Sequence, residues 1–196
     1  MGCFDWIFKR PSTEAGGCKP KSCPNKKGPC HLCAGHLQET QSFTSLADGR
    51  RWKIDRELHC RTPFIIYLIE CKIHQVQYVG SSEKDFYKRW SDHKRDVWDI
   101  IKAKRGERPA KSCTTGLAKH FRDIHHKVED AEDDVLPLTV TLIDCAKDKE
   151  DMKRREAYWI AKLGTLQTTT GLNRQQAINQ RALQMMNQSF GIPLNN

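Results

Sequence analysis

Arg89 and His93 stand one helical turn apart in the stretch YVGSSEKDFYKRWSDH, residues 78–93. On a helical wheel at about 100° per residue, Phe86, Trp90, Val97, Ile100 and Ile101 form one stripe. His93 falls at its centre and Arg89 on its edge. A later helical stretch repeats the arrangement: Met152, Trp159, Ile160 and Leu163 make the stripe and Glu156 interrupts it. A buried carboxylate without a partner is costly, so Glu156 calls for a cation, either a metal ion or the Arg89 guanidinium. Taken singly, His93 reads as a satisfied core histidine and Glu156 as half of a buried ion pair. Taken together, beside a strand that ends Tyr78-Val79-Gly80, the three residues point to a charged site between two helices and a sheet.

The second chemical feature is sulfur. The chain has nine cysteines, five of them in its first 33 residues. The N-terminus MGCFDWIFKR shows no secretory signal, so a disulfide framework is not expected, and cysteines crowded in a reducing compartment more often bind zinc. Cys30-x2-Cys33 is a zinc-knuckle spacing. Cys23 and Cys60 are the first choice to complete it, with Cys18, His31 and His36 as competitors. Cys71-x2-His74 is a second metal-like spacing, and His120, His125 and His126 cluster on or just past a short helix. Gly2-Cys3 suggests a lipid anchor, but none is expected, because Trp6 stands where the acylation pattern wants Ser or Thr.

The elements that must position these groups can be read in outline. FIIYLIEC (64–71) is a buried strand by its β-branched and aromatic content. VQYVGS (76–81) is a second strand, and the link between them is too short for anything but antiparallel pairing. Ser82 and Asp85 predict a capping box that starts a helix running to about Lys104. A polar loop follows, then a helix over about 116–126, a strand over 138–145 and a helix over about 148–163 that Gly164 ends. The order is ββααβα: an α+β fold with a small three-stranded antiparallel sheet flanked by helices, carrying a Cys-rich N-terminal zinc-binding extension. SFTSLADGRRWKI predicts a short hairpin around Asp48-Gly49. Residues 1–17 read as a flexible basic tail, 18–61 as the Cys-rich region, 62–175 as the main domain and 176–196 as a polar C-terminal tail.

Bulk properties narrow the partners. The net charge is +9, from 33 Lys and Arg against 24 Asp and Glu. Mean hydropathy is −0.70. The longest apolar run, FIIYLI, is far too short to cross a bilayer, so no membrane partner is expected. The basic excess suits a polyanion, and nucleic acid is the commonest one.

Ile66-Tyr67, ten residues, then Tyr78-Val79-Gly80, followed by Arg89, His93, Glu156 and Gly171-Leu172-Asn173, resembles the GIY-YIG endonuclease family. Ile65 stands where the family's first motif has glycine. An aliphatic residue is common there in the eukaryotic branch related to Penelope-like retroelements, which the chain also resembles in its lead-in Phe43…Ile54…Leu58-x-Cys60 and in a Cys between the two tyrosine motifs.

The resemblance implies a metal-dependent endonuclease acting on DNA, nuclear or cytoplasmic and not secreted, with roles for six residues. Tyr67 would be the general base and His93 would accept or polarise its proton. Tyr78 would orient water or phosphate, and Arg89 would clamp the phosphate. Glu156 would hold Mg²⁺ or Mn²⁺, and Asn173 would brace the site. Gly80 would allow close approach where a β-carbon would intrude. The branch also carries a built-in structural zinc site of two Cys and two His, which maps here to Cys71, His74, His120 and His126, with His125 able to replace His126. The competing reading is a zinc-stabilised nucleic-acid-binding module of retroelement origin with no catalysis. A weaker one is an interaction protein whose basic tail binds acidic partners.

Overall fold

The computed structural model describes residues 30–109, 112, 115–125, 136–166 and 169–174. The expected tails at 1–17 and 176–196, and the candidate ligands Cys23 and His126, lie outside these residues.

The central strand is where the apolar content is highest. β3 (Ile65–Cys71) is buried along nearly all its length, and β4 (Val76–Ser82) and β5 (Leu138–Cys145) flank it in the order β4-β3-β5. Both pairings are antiparallel. Strand alternation sends neighbouring side chains to opposite faces. Ile65, Tyr67, Ile69 and Cys71 therefore face one core with Val76, Leu138, Val140 and Leu142, while Ile66, Leu68 and Val79 face the other. A bulge opposite Ile66 and Tyr67 adds one residue to β5, and both Ile143 and Asp144 then meet the helix on the second face.

The first face is covered by α2 (Phe86–Lys104) and α3 (Gly116–Asp123). The buried residues of α2 include Phe86, Trp90, His93, Val97, Ile100 and Ile101, the stripe expected from the sequence. The second face is covered by α4 (Lys149–Lys162), through Met152, Ala157, Trp159 and Ile160. Gly164 follows with φ +60°, the left-handed stop that a glycine supplies without penalty. The expected ββααβα order thus holds. Two boundaries move: α3, expected to reach about 126, ends at Asp123, and Ser82 stays in β4, paired with Ile65, so that the cap of α2 is Asp85 alone, whose carboxylate accepts from the Lys88 N–H at 3.1 Å.

The lead-in builds onto this core. Helix α1 (His31–Gly35) precedes a segment that hydrogen-bonds the outer edge of β5, with Gln38 N–H to Val140 O and Val140 N–H to His36 O, both at 2.8 Å. The hairpin β1 (Ser42–Thr44) and β2 (Arg51–Lys53) forms around Gly49 at φ +70°. Gln77 pins it to β4, accepting from Leu46 N–H and donating to Thr44 O. Cys30, Leu32, Leu58 and Cys60 sit in the same core as Tyr67 and Trp90. The second edge of the sheet is covered by residues 170–172, which bracket Gln77 through two backbone hydrogen bonds. None of the described helices is long and apolar enough to cross a membrane.

Candidate active site and metal-binding groups

Tyr67 is fully buried in the middle of β3, and its ring lies against that of Phe86 at 4.3 Å between centroids. Its cross-strand partner is Gly80, and a β-carbon there would fall 2.5 Å from the Tyr67 Oη and Cζ. Only glycine leaves room for the phenol to cross β4. The hydroxyl ends between two residues of α2. It lies 2.8 Å from His93 Nε2 and accepts a long hydrogen bond from Arg89 Nε at 3.4 Å. The arginine can only donate, which leaves the Tyr67 proton free to be given to His93 Nε2 when the imidazole carries its own proton on Nδ1.

Tyr78 comes from the neighbouring strand, two residues before Gly80, and so projects to the same face. Its ring stands 5.9 Å from that of His93, and Arg89 also hydrogen-bonds its hydroxyl. One guanidinium thus faces both phenols.

Glu156 approaches from α4, on the other side of the sheet. Ser81, the residue after Gly80, points that way and donates from Oγ to Glu156 Oε2 at 2.8 Å. Although strand alternation puts them on opposite faces, Glu156 is felt by the hydroxyls of both Tyr67 and Tyr78, and Arg89 acts on Glu156 in return. The side-chain-free Gly80 at the sheet edge is what leaves this path open.

The electrostatics follow from burial. Burial, then the neighbouring Tyr78, raises the Tyr67 hydroxyl well above its usual value, against the pull of Arg89. Burial and Glu156 push Tyr78 up to about 12. Burial and Arg89 push His93 down to about 3, so it is a neutral imidazole at physiological pH. Burial raises the Glu156 carboxyl, while Ser81 and Arg89 pull it down.

Five of the six residues expected to act together therefore converge: Tyr67, Tyr78, Arg89, His93 and Glu156. Asn173 makes its side-chain contacts with backbone. It is buried, and its side chain accepts from Val79 N–H at 2.8 Å and donates to Val79 O at 2.7 Å, bracing β4 one residue before Gly80. Ile65 is a fully buried core residue. Ser81 is the residue the sequence reading missed. Its signal was strand parity: a residue adjacent to Gly80 must face away from Tyr78, toward α4.

Two groups of side chains could hold metal ions. Cys71, His74, His120 and His125 place their ligand atoms within 4.8 Å of one another. Cys71 Sγ lies 3.5 Å from both His74 Nδ1 and His125 Nε2, and the His120 and His125 Nε2 atoms are 3.1 Å apart. Tetrahedral zinc with Zn–S near 2.3 Å and Zn–N near 2.0 Å requires about 3.5 Å between S and N and about 3.3 Å between two N. The donor set fits. Burial and the other two imidazoles push His120 down to about 4, the neutral form a ligand needs. His125 fills the place for which His126 was the first choice. The second group is Cys30, Cys33 and Cys60. Burial, with the sulfurs of Cys30 and Cys60 beside it, drives the Cys33 thiol upward, as expected of thiols packed together without a cation.

Comparison with known families decides the relationship. The GIY-YIG catalytic domain family matches residues 63–170, more than half of the chain. The chain belongs to the GIY-YIG family. Neither a curated protein nor a solved structure matches it. The GIY-YIG domain is a nuclease fold, its substrate class is nucleic acid, and its nucleases use divalent metals. The GIY-YIG match spans β3 to the end of α4 and so contains the five converging side chains and the Cys71 group, while Cys30, Cys33 and Cys60 precede it.

Proposed function

We propose that the protein is a metal-dependent endonuclease that hydrolyses DNA phosphodiester bonds. The observation that carries this reading is the meeting of Tyr67 Oη with His93 Nε2 at 2.8 Å and Arg89 Nε at 3.4 Å, with the Glu156 carboxylate held at 2.8 Å by Ser81, the residue after Gly80.

Hydrolysis needs an activated water, neutralised charge on the phosphate and a stabilised leaving oxygen. Tyr67 and His93 form a proton relay. The water gives its proton to the Tyr67 oxygen as Tyr67 passes its own to His93 Nε2, so no free phenolate has to form. In the resting state His93 is a weak base because of burial and Arg89. A phosphate on Arg89 neutralises that cation and strengthens the imidazole as the substrate arrives. Arg89 holds a non-bridging oxygen, and the Tyr78 hydroxyl orients the water or a second oxygen. Ser81 fixes the Glu156 carboxylate, which with solvent would hold one divalent cation of the Mg²⁺ or Mn²⁺ type. When bound, that ion supplies positive charge at the leaving oxygen.

The Cys71, His74, His120 and His125 group is assigned a structural zinc ion that closes the β3–β4 turn against the end of α3. This site, the Cys-containing lead-in and the aliphatic residue at position 65 support descent from a Penelope-like retroelement nuclease, with DNA in the nucleus as the setting. The raised Tyr67 and lowered His93 favour one competing reading, a DNA-binding module without turnover.

The test is nicking of supercoiled plasmid in Mg²⁺. The wild type should nick, and Arg89→Ala and Glu156→Ala should each lose about 10²-fold or more. Equal cleavage by all three proteins, or none by the wild type, removes the enzyme and leaves the binding module.

A further inference from the structure

We infer that Cys30, Cys33 and Cys60 hold a second zinc ion, and that this ion anchors the first turn of α2 and thereby the position of Arg89.

The sulfur geometry is that of a metal site. Cys30 Sγ lies 3.5 Å from Cys33 Sγ and 3.9 Å from Cys60 Sγ. Tetrahedral zinc with Zn–S near 2.3 Å asks for about 3.8 Å between sulfurs, whereas a disulfide would draw two of them to about 2.05 Å and strand the third. Cys30 and Cys60 are buried, Cys60 completely. These three side chains leave one tetrahedral position for a further donor.

The site joins the short α1 turn to the stretch of chain that leads into α2. Helix α1 has only five residues, too few to be stable alone. The segment after it is fixed to β5 by the two backbone hydrogen bonds of His36 and Gln38, and the His36 ring packs on Trp90 of α2 at 4.7 Å. On the other side of the sulfurs, residues 60 and 61 grip the start of α2 at three points. The Cys60 carbonyl accepts from Tyr87 N–H at 3.1 Å. Arg61 reaches the capping carboxylate of Asp85 at 3.2 Å and lies over the Tyr87 ring at 4.3 Å. Arg89 follows within the next turn. An ion across the three sulfurs ties the β5 edge to this grip, and its loss would free the helix start that aims the guanidinium at Tyr67.

The experiment uses the full chain, purified without chelator, and reads zinc by elemental analysis. Two ions per chain are expected. Cys33→Ser, at a half-buried position, should keep one, Cys71→Ser should keep the other, and the control Cys145→Ser should keep both. In cobalt-substituted protein, the thiolate charge-transfer absorption of Cys71→Ser should exceed that of Cys33→Ser, since the remaining ion has three sulfur ligands rather than one. Should a variant fail to fold, the cobalt spectrum of the wild type decides, and it should show at least four thiolate bonds over two ions. Hydrogen exchange reads the anchoring: residues 84–92 should exchange faster in Cys33→Ser while β3 is unchanged. A single zinc that Cys33→Ser retains, or a disulfide among the three cysteines, overturns the site. Lost zinc with unchanged exchange in α2 overturns the anchoring. No step reads cleavage, so the outcome is separate from that of the endonuclease assay.

Discussion

The proton shared by Tyr67 and His93 is where the proposed reaction turns, and it has a consequence that can be measured without substrate. His93 is held down to about 3 by burial and Arg89, whereas an imidazole in the unfolded chain titrates near 6.5. Between those values the unfolded state binds a proton that the folded state refuses, so stability falls as the pH drops from about 6.5 toward 3. Above 6.5 both states are neutral and the term vanishes. His93→Gln keeps an acceptor for the Tyr67 hydroxyl and removes the titration. Denaturant unfolding of both proteins should therefore give parallel stability curves above pH 7. Below pH 6 the wild type should lose up to about 1.4 kcal/mol per pH unit relative to the variant. Curves that stay parallel down to pH 5 would mean that His93 protonates normally and that the relay is not closed. The residues that make this site were partly legible in the sequence. His93 and Glu156 betrayed themselves by interrupting apolar stripes. Ser81 did not, because a serine at a strand end is unremarked until the pleat shows which face it meets. His125 and His126 could not be separated by spacing, since the turn that ends α3 decides which imidazole points inward.

At the scale of elements, the segment 171–173 matters more than its length suggests. Asn173 satisfies both backbone groups of Val79, and buried partners left unsatisfied cost about 1–3 kcal/mol each. The segment is seated on α3, because a β-carbon at Gly116 would fall 1.7 Å from the Leu172 carbonyl oxygen. Gly116→Ala must move that carbonyl and with it Asn173. Asn173→Ala should thus destabilise by about 2–6 kcal/mol. Gly116→Ala should destabilise as well, and the double variant should cost clearly less than the sum, as residues acting through one contact do. Additive losses in denaturant midpoints would show that α3 and β4 are independent. The main elements were readable because each carries a long, clean apolar pattern: β3 and β5 lie within a residue of where periodicity put them, and α2 ends at Lys104 as expected. The start of α2 was misplaced by three residues, since Ser82 and Asp85 both offer capping oxygens. The pairing of Ser82 with Ile65, a long-range contact, settles which one is used.

For the whole molecule, the open quantity is what the +9 charge does. Charge alone cannot separate a nucleic-acid partner from plain solubility, and the fold adds the missing geometry. Lys88 is exposed on α2 beside Arg89, and Lys153 is exposed on α4 within a turn of Glu156 and acts on its carboxylate. Two helices from opposite faces of the sheet thus carry exposed cations close in sequence to Arg89 and Glu156, and a phosphate backbone held by those residues along this edge of the sheet would have to pass them. If three phosphates are neutralised there, counterion release gives a slope of about −2.7 in log K against log salt. Binding of short duplex DNA by Glu156→Ala, chosen to prevent cleavage, should then weaken about 40-fold between 50 and 200 mM salt. Replacing Lys88 and Lys153 together by Gln should reduce the slope by about two contacts, to near −0.9, while leaving zinc content and unfolding midpoint unchanged. An unaltered slope would move the DNA track away from this edge. A flat response in the parent protein would mean that the charge serves solubility and that the five converging side chains meet no polyanion.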